Sequence, residues 1–157
     1  MNKTNVMRLL DAAKIPYRTA EYEFDESDLG GMHAAAAIGM PPEQIFKTLV
    51  ARGEKNGYLV FCIPVCCELD LKKAAKAAHD KKVELIHVKE LLPLTGYVHG
   101  GCSPIGMKKF FTTTIHETAP LHDTIFFSGG RIGFQIELPF ADLEKVIRVQ
   151  RADIIKD

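Results

Sequence analysis

Residues 46–65 read FKTLVARGEKNGYLVFCIPV. Residues 46–52 alternate in a β-rich pattern, GEKNG at 53–57 is a turn, and Tyr58 to Val65 resumes the apolar run. Two such runs around a turn that contains Gly and Asn predict a β-hairpin. The segments on either side are helical in period. Downstream, Asp70 caps a helix over 71–78 whose Leu71, Ala74, Ala75 and Ala78 face inward. Upstream, the Ala-rich run Met32–Ile38 is a helix closed by Gly39, and Pro41-Pro42 opens a helical turn that reaches Ile45. Hairpins set among helices predict an α+β fold rather than a doubly wound sheet.

The same reading extends to both ends. Thr4 caps a helix over 5–14 with Val6, Leu9, Leu10 and Ala13 on one stripe, ended by Pro16. Tyr17 to Phe24 is extended, and the acidic stretch 25–28 is a loop. Val83–Ile86 is a short strand, Val88–Leu92 a helix closed by Pro93, and Lys109 to Ile115 a strand. Residues 124–127 and 132–138 flank SGG as a second hairpin, and Pro139 begins a last helix to about Ile147. No internal repeat or low-complexity tract interrupts the chain. At 157 residues it is expected to form one domain, 1–157.

Twenty Lys and Arg stand against 20 Asp and Glu. That balance excludes a protein that holds nucleic acid by bulk charge, since each phosphate contact needs a local cation. By segment the charge is uneven: residues 1–46 carry four basic and seven acidic side chains, 47–109 carry eleven and six, and 110–157 carry five and seven. The simplest reading of Lys72, Lys73 and Lys76 is the solvated side of a helix. The four Cys, at 62, 66, 67 and 102, form no paired CxxC motif, so no zinc site is expected. MNKTNVMRLL lacks the apolar core of a secretory signal, and no apolar run reaches eighteen residues. Free thiols in a reducing, cytoplasmic setting are the expectation.

Three stretches carry candidate chemistry. TGYVHGGCSPIG at 95–106 holds four Gly, a Ser and a Pro. Gly100-Gly101 lets backbone N–H groups approach a ligand, as in sites for carbonyl oxygens and anions. A purely structural loop reads equally well. It is not a P-loop, because the closing Lys-Ser/Thr is absent. SGGRIG at 128–133 precedes a strand pattern, so a hairpin turn fits better than a dinucleotide fingerprint. Lys47 interrupts an apolar strand; facing solvent it is ordinary, facing inward it must be paired or serve a ligand. The six His form no metal-like pair. His99 abuts the Gly-rich loop, and Cys102 within that loop reads as a small packing residue. No nucleophile, base or metal site is evident, so an enzyme of this sequence works by positioning.

FKTLV at 46–50, LKKAAKA at 71–77, TGYVHGGCSPIG at 95–106 and SGG at 128–130, with KTNVMRLLDAAKIPY at the start, resemble the YbaK family. That family contains free-standing Cys-tRNA(Pro) deacylases and is related to the editing domain of bacterial prolyl-tRNA synthetase. The resemblance spans about residues 3–154. It implies a mixed, barrel-like β-sheet wrapped by helices, and clearance of a mischarged amino acid from a tRNA 3′ end without a cofactor. It implies Lys47 as the central functional residue, with Gly100 and Gly101 holding the ester carbonyl. It implies a substrate pocket of Tyr22, Thr48, His99, Ser103, Pro104, Ser128, Gly129 and Gly130. Its implied partners are the tRNA acceptor end and prolyl-tRNA synthetase; it leaves self-association open. Two positions depart from the family: Gln135, where some relatives carry a carboxylate, and His33, where an acid precedes the Ala-rich helix. A deacylase for alanine or another small residue, and a non-catalytic module that binds an aminoacyl end, are the competing readings.

Overall fold

The computed structural model describes residues 3–157, so Met1 and Asn2 of the N-terminal stretch read above lie outside it. In chain order the elements are α1 (Asn5–Ala12), β1 (Arg18–Glu21), α2 (Gly31–Ile38), β2 (Phe46–Gly53), β3 (Gly57–Pro64), α3 (Leu71–Ala77), β4 (Val83–Leu85), α4 (Val88–Thr95), β5 (Thr112–His116), β6 (Ile125–Ser128), β7 (Phe134–Leu138), α5 (Phe140–Val146) and β8 (Val149–Ala152). Short 3-10 turns lie at Pro42–Gln44 and Ala119–Leu121. The class is α+β, as expected.

Both hairpins form. β2 and β3 pair antiparallel from Phe46↔Pro64 to Gly53↔Gly57, and β6 and β7 from Ile125↔Leu138 to Ser128↔Gln135. One sheet runs β4-β2-β3-β5-β8 and the other β1-β7-β6. The sheets stay open rather than closing into a barrel; a parallel bridge between Ile45 and Phe126 joins them. Helix α2 covers that seam, packing Ala35 with Ile45, Val65 and Phe126. Gly31 makes the close approach possible, since a Cβ there would lie 2.3 Å from a Val65 methyl. The main core gathers Phe46, Val50, Val60, Ile115, Phe127 and Phe134 with helix α1, and a second core lies under α3. The Asp70 carboxylate caps α3 by accepting from the Lys72 and Lys73 amides, and Thr4 caps α1 through Met7.

Three elements differ from expectation. Helix α4 passes through Pro93 to Thr95. Proline there removes one N–H, but the Thr95 hydroxyl donates to the Leu91 carbonyl and the Gly96 amide to that of Leu92, which holds the last turn. Strand β5 begins at Thr112, not Lys109, and its pairing with β3 starts at Leu59. β8, which pairs parallel with β5, is an element the sequence pattern does not predict. Its Val-Gln-Arg-Ala sequence sits on an edge, where no buried face demands apolar alternation.

Candidate functional site

Lys47 is the second residue of β2. The pleat sends Phe46 and Val50 into the main core and puts Lys47 on the opposite face with Leu49 and Ala51. The side chain is half-buried and lines a cavity of about 250 Å3. Its ammonium makes no hydrogen bond or ion pair among the described residues. A partly buried cation without a protein partner is free to meet a ligand. Thr48 follows on the same wall, its hydroxyl 3.7 Å from the Cys62 sulfur.

Tyr22, just past β1, closes one side of the cavity. Its ring meets His33 edge-on at 6.1 Å. His33 itself lies off the cavity wall, with Nε2 on the Glu23 carbonyl at 3.0 Å and Nδ1 3.7 Å from Asp28. His99 and Gly100 come from the loop after α4, and Ser128 from the end of β6. Six of the expected residues, Tyr22, Lys47, Thr48, His99, Gly100 and Ser128, therefore converge on one cavity.

The rest of the expected set does not line it. The Gly101 amide donates to the Val98 carbonyl at 3.0 Å, which closes a β-turn with Gly100 at φ +87. A left-handed residue at that turn position favours glycine. The same bond engages the Gly101 N–H, so of the two glycines only Gly100 keeps an amide with no partner among the described residues. Gly101 instead lets the loop meet the 128–133 turn: a Cβ there would lie 3.0 Å from the Ile132 nitrogen. Ser103 is fully buried and accepts from the Ile105 amide, and Pro104 lines a different cleft. Gly129 is packed on Phe134, where a Cβ would come within 2.4 Å of the ring, and Gly130 sits at φ +106 against Val6 of α1. The SGG segment is thus a hairpin turn whose Ser128 hydroxyl accepts from the Gly130 amide and faces the cavity.

Among the wall residues outside the expected site, two carry polar side chains. Cys102 lines the cavity, and burial, with Cys62 nearby, pushes its thiol up to about 12. It is therefore protonated near neutrality and no nucleophile. Gln135 of β7 is 6 % exposed, lines the cavity, and buries its Oε1 with no hydrogen-bond partner among the described residues. A buried acceptor left unmade is costly, typically about 1–3 kcal/mol; the residue borders the cavity, while the oxygen itself is shut off from solvent. Its position two residues past a glycine turn, on a strand that alternates, was legible; that its amide end would be orphaned was not.

A family model for the aminoacyl-tRNA editing domain matches residues 32–146. The chain belongs to that family. Enterococcus faecalis EbsC, assigned as a Cys-tRNA(Pro)/Cys-tRNA(Cys) deacylase, is 48% identical over 136 residues, 87% of this chain and 83% of that protein. Among solved structures, the hypothetical protein APE2540 superposes with a TM-score of 0.87 at 22% identity, over 98% of this chain and all of that one. A protein assigned as a trans-editing enzyme for prolyl-tRNA synthetase superposes with a TM-score of 0.83 at 24% identity, over 99% of this chain and 100% of its own. At these identities the superpositions carry the fold, and the sequence matches carry the family.

Within an editing domain this cavity has a clear division of parts. It offers the unpaired Lys47 ammonium, the Gly100 amide and three hydroxyl-bearing residues from different elements, Tyr22, Thr48 and Ser128. No Ser or Cys hydrogen-bonds to a His among the described residues. The wall thus presents no hydrogen-bonded nucleophile–base pair among the described residues.

Proposed function

We propose that this chain, acting as one domain, is a trans-editing deacylase that clears cysteine mischarged onto tRNA(Pro), and also Cys-tRNA(Cys). The observation that carries this reading is the half-buried, unpartnered Lys47 on the wall of a cavity that holds no enzyme nucleophile. Membership of the editing family and likeness to EbsC support the substrate class. Lys47 holds the phosphate or ribose of the terminal nucleotide, and the Gly100 amide takes the ester carbonyl. Tyr22 and Ser128 line the aminoacyl end, and the Gln135 side chain turns its orphaned Oε1 into the cavity to accept from the α-ammonium group.

The chemistry then belongs to the substrate. The cysteine sulfur bonds to its own carbonyl carbon, the ester C–O bond breaks, and the thiol proton ends on the ribose oxygen. The product is a cyclic thioester. A packed pocket separates side chains that differ by one small group by only about 10–200-fold. Dependence on the substrate thiol adds selectivity that packing lacks. Negative charge that builds on the carbonyl oxygen is met by the Gly100 amide; loss of such a donor typically costs about 10²–10³ in rate.

The test is ester loss from tRNAs charged separately with Cys, Ala, Ser and Pro. Rapid loss from Cys-tRNA(Pro) and slow loss from the serine ester is the expected result. Equal rates for Cys and Ser would refute the thiol route, and preference for Ala would move the substrate. Prolyl-tRNA synthetase is the proposed source of tRNA selection. Co-elution of all three components, absent from pairwise mixtures, is the result that supports it.

A further inference from the structure

The Gly-rich loop borders two depressions. Cys102 lines the cavity already described, while Pro104, two residues on, lines a second cleft of about 270 Å3. Two residues of chain span at most about 7 Å, so the two are neighbours along one loop. The second cleft is bordered by Lys108, Lys109, Phe110, Phe111 and Arg148, and no carboxylate lines it. None of those three cations makes a side-chain hydrogen bond or ion pair among the described residues.

The two phenylalanines behave oppositely. Phe111 packs on the main core and meets Tyr58 edge-on at 6.3 Å. Phe110 is 73% exposed. The loop is anchored on either side of it, by the Lys108 amide on the Thr95 carbonyl and by β5 from Thr112, so Phe110 is held outward rather than loose. An exposed aromatic ring flanked by unpaired cations matches the stacking platform and phosphate contacts of single-strand nucleic-acid sites.

We propose that this cleft receives the acceptor strand of the tRNA whose 3′ end enters the first cavity. Phe110 stacks on a base, and Lys108, Lys109 and Arg148 meet flanking phosphates. The proposal rests on the deacylase reading for the nature of the RNA. Sheet register gives the spacing. Lys47 pairs with Ile63, and Thr112 pairs with Leu59 on the far side of β3. Four residues along that strand and two strand spacings across it separate Lys47 from Thr112 by about 16 Å. A stacked strand advances about 3.4 Å per nucleotide, so the cleft meets the RNA about five nucleotides from the esterified ribose. Those are the positions where the unpaired 3′ end joins the acceptor stem.

The experiment compares the unaltered chain with Phe110→Ala and with Lys108→Ala/Lys109→Ala, using uncharged tRNA over a salt series. All these side chains are exposed, and an unchanged melting temperature shows that each variant is folded. Phe110→Ala is expected to weaken tRNA binding about tenfold, the scale of one lost base stack. The double variant is expected to lower the slope of log K against log salt by about 0.7–0.9 for each phosphate that its lysines no longer neutralise. Turnover of a short cysteinyl ester of adenosine should stay unchanged. Normal tRNA binding and salt slope in both variants overturns the proposal, as does no binding by the unaltered chain. If the variants keep tRNA but lose co-elution with the synthetase, the cleft docks a protein and the RNA assignment falls. Because the binding arm uses uncharged tRNA, weakened binding in a chain without deacylase activity keeps this surface while removing the deacylase reading.

Discussion

The hairpin of β2 and β3 has two charged ends that are built in opposite ways. At the turn end, Asp80 reaches in from beyond α3 and accepts from the backbone amides of Lys55, Asn56, Lys81 and Lys82. Burial would raise its carboxyl, but those amides outweigh it and hold the group below the usual carboxylate range. Gly53 is small because a Cβ there would lie 2.1 Å from the Asp80 carboxylate. At the other end Lys47 has no partner at all among the described residues, while it borders a cavity. A saturated charge ties elements together. A charge left open in a partly dry place has its free energy reserved for something that is not the protein. Polar saturation, more than polarity, separates the structural end from the end proposed to be functional.

The widest separation comes from exchanging the two charges one at a time. Lys47→Ala should lower kcat/KM for Cys-tRNA(Pro) by at least about 10²-fold, the scale of losing one positioned donor, with no fall in melting temperature. Asp80→Asn should do the reverse: a clear fall in melting temperature with kcat kept. Full activity in the first variant, or lost activity with full stability in the second, breaks the comparison.

Gln135 is the same contrast in neutral form. Its orphaned Oε1 should matter to substrate and not to fold. Gln135→Leu should reduce kcat/KM by roughly 10–100-fold, the range for a hydrogen bond to a charged donor, while stability stays level or rises. A loss of stability of about 1–3 kcal/mol in chemical denaturation would instead make it structural. Gly129 belongs to the structural side. Gly129→Ala places a methyl against the Phe134 ring, and overpacking of that kind typically costs about 1–3 kcal/mol. Deacylation per folded molecule should change little.

How much of this was legible follows the same line. Both hairpins, the α+β class and the caps at Thr4, Asp70 and Gly39 rest on local chemistry, and local chemistry is written in sequence. Lys47 was legible as an oddity within an apolar strand, and the family motif made it the leading site residue. Gly101, Ser103, Gly129 and Gly130 entered the expected site through the family motifs. Their own roles are turn closure and close packing, which a motif does not distinguish from ligand contact. Gln135 carried no such signal of orphaning, since whether a buried amide is satisfied depends on three strands meeting. β8 was invisible for the opposite reason: its pairing with β5 is a long-range event, and its own residues carry little pattern.

The smallest expected effect concerns a buried polar group that is only partly saturated. His116 closes β5, is 4% exposed, and accepts from the Ile154 amide through Nδ1 at 3.3 Å. Burial lowers its pKa, and the Asp153 carboxylate 3.8 Å away offsets only part of that. The folded state therefore favours the neutral ring, whereas the unfolded chain takes up its proton near the ordinary value of about 6.5. Stability from this group is fully present above about pH 6.5 and is lost as the pH falls from there through the lower folded value. Melting temperature should thus decline modestly between pH 7 and pH 5. His116→Gln, which keeps an acceptor but cannot titrate, should flatten that slope without altering deacylation at neutral pH. Identical slopes in the two proteins would mean that Asp153 already neutralises the cost, and that His116 is as saturated as Asp80.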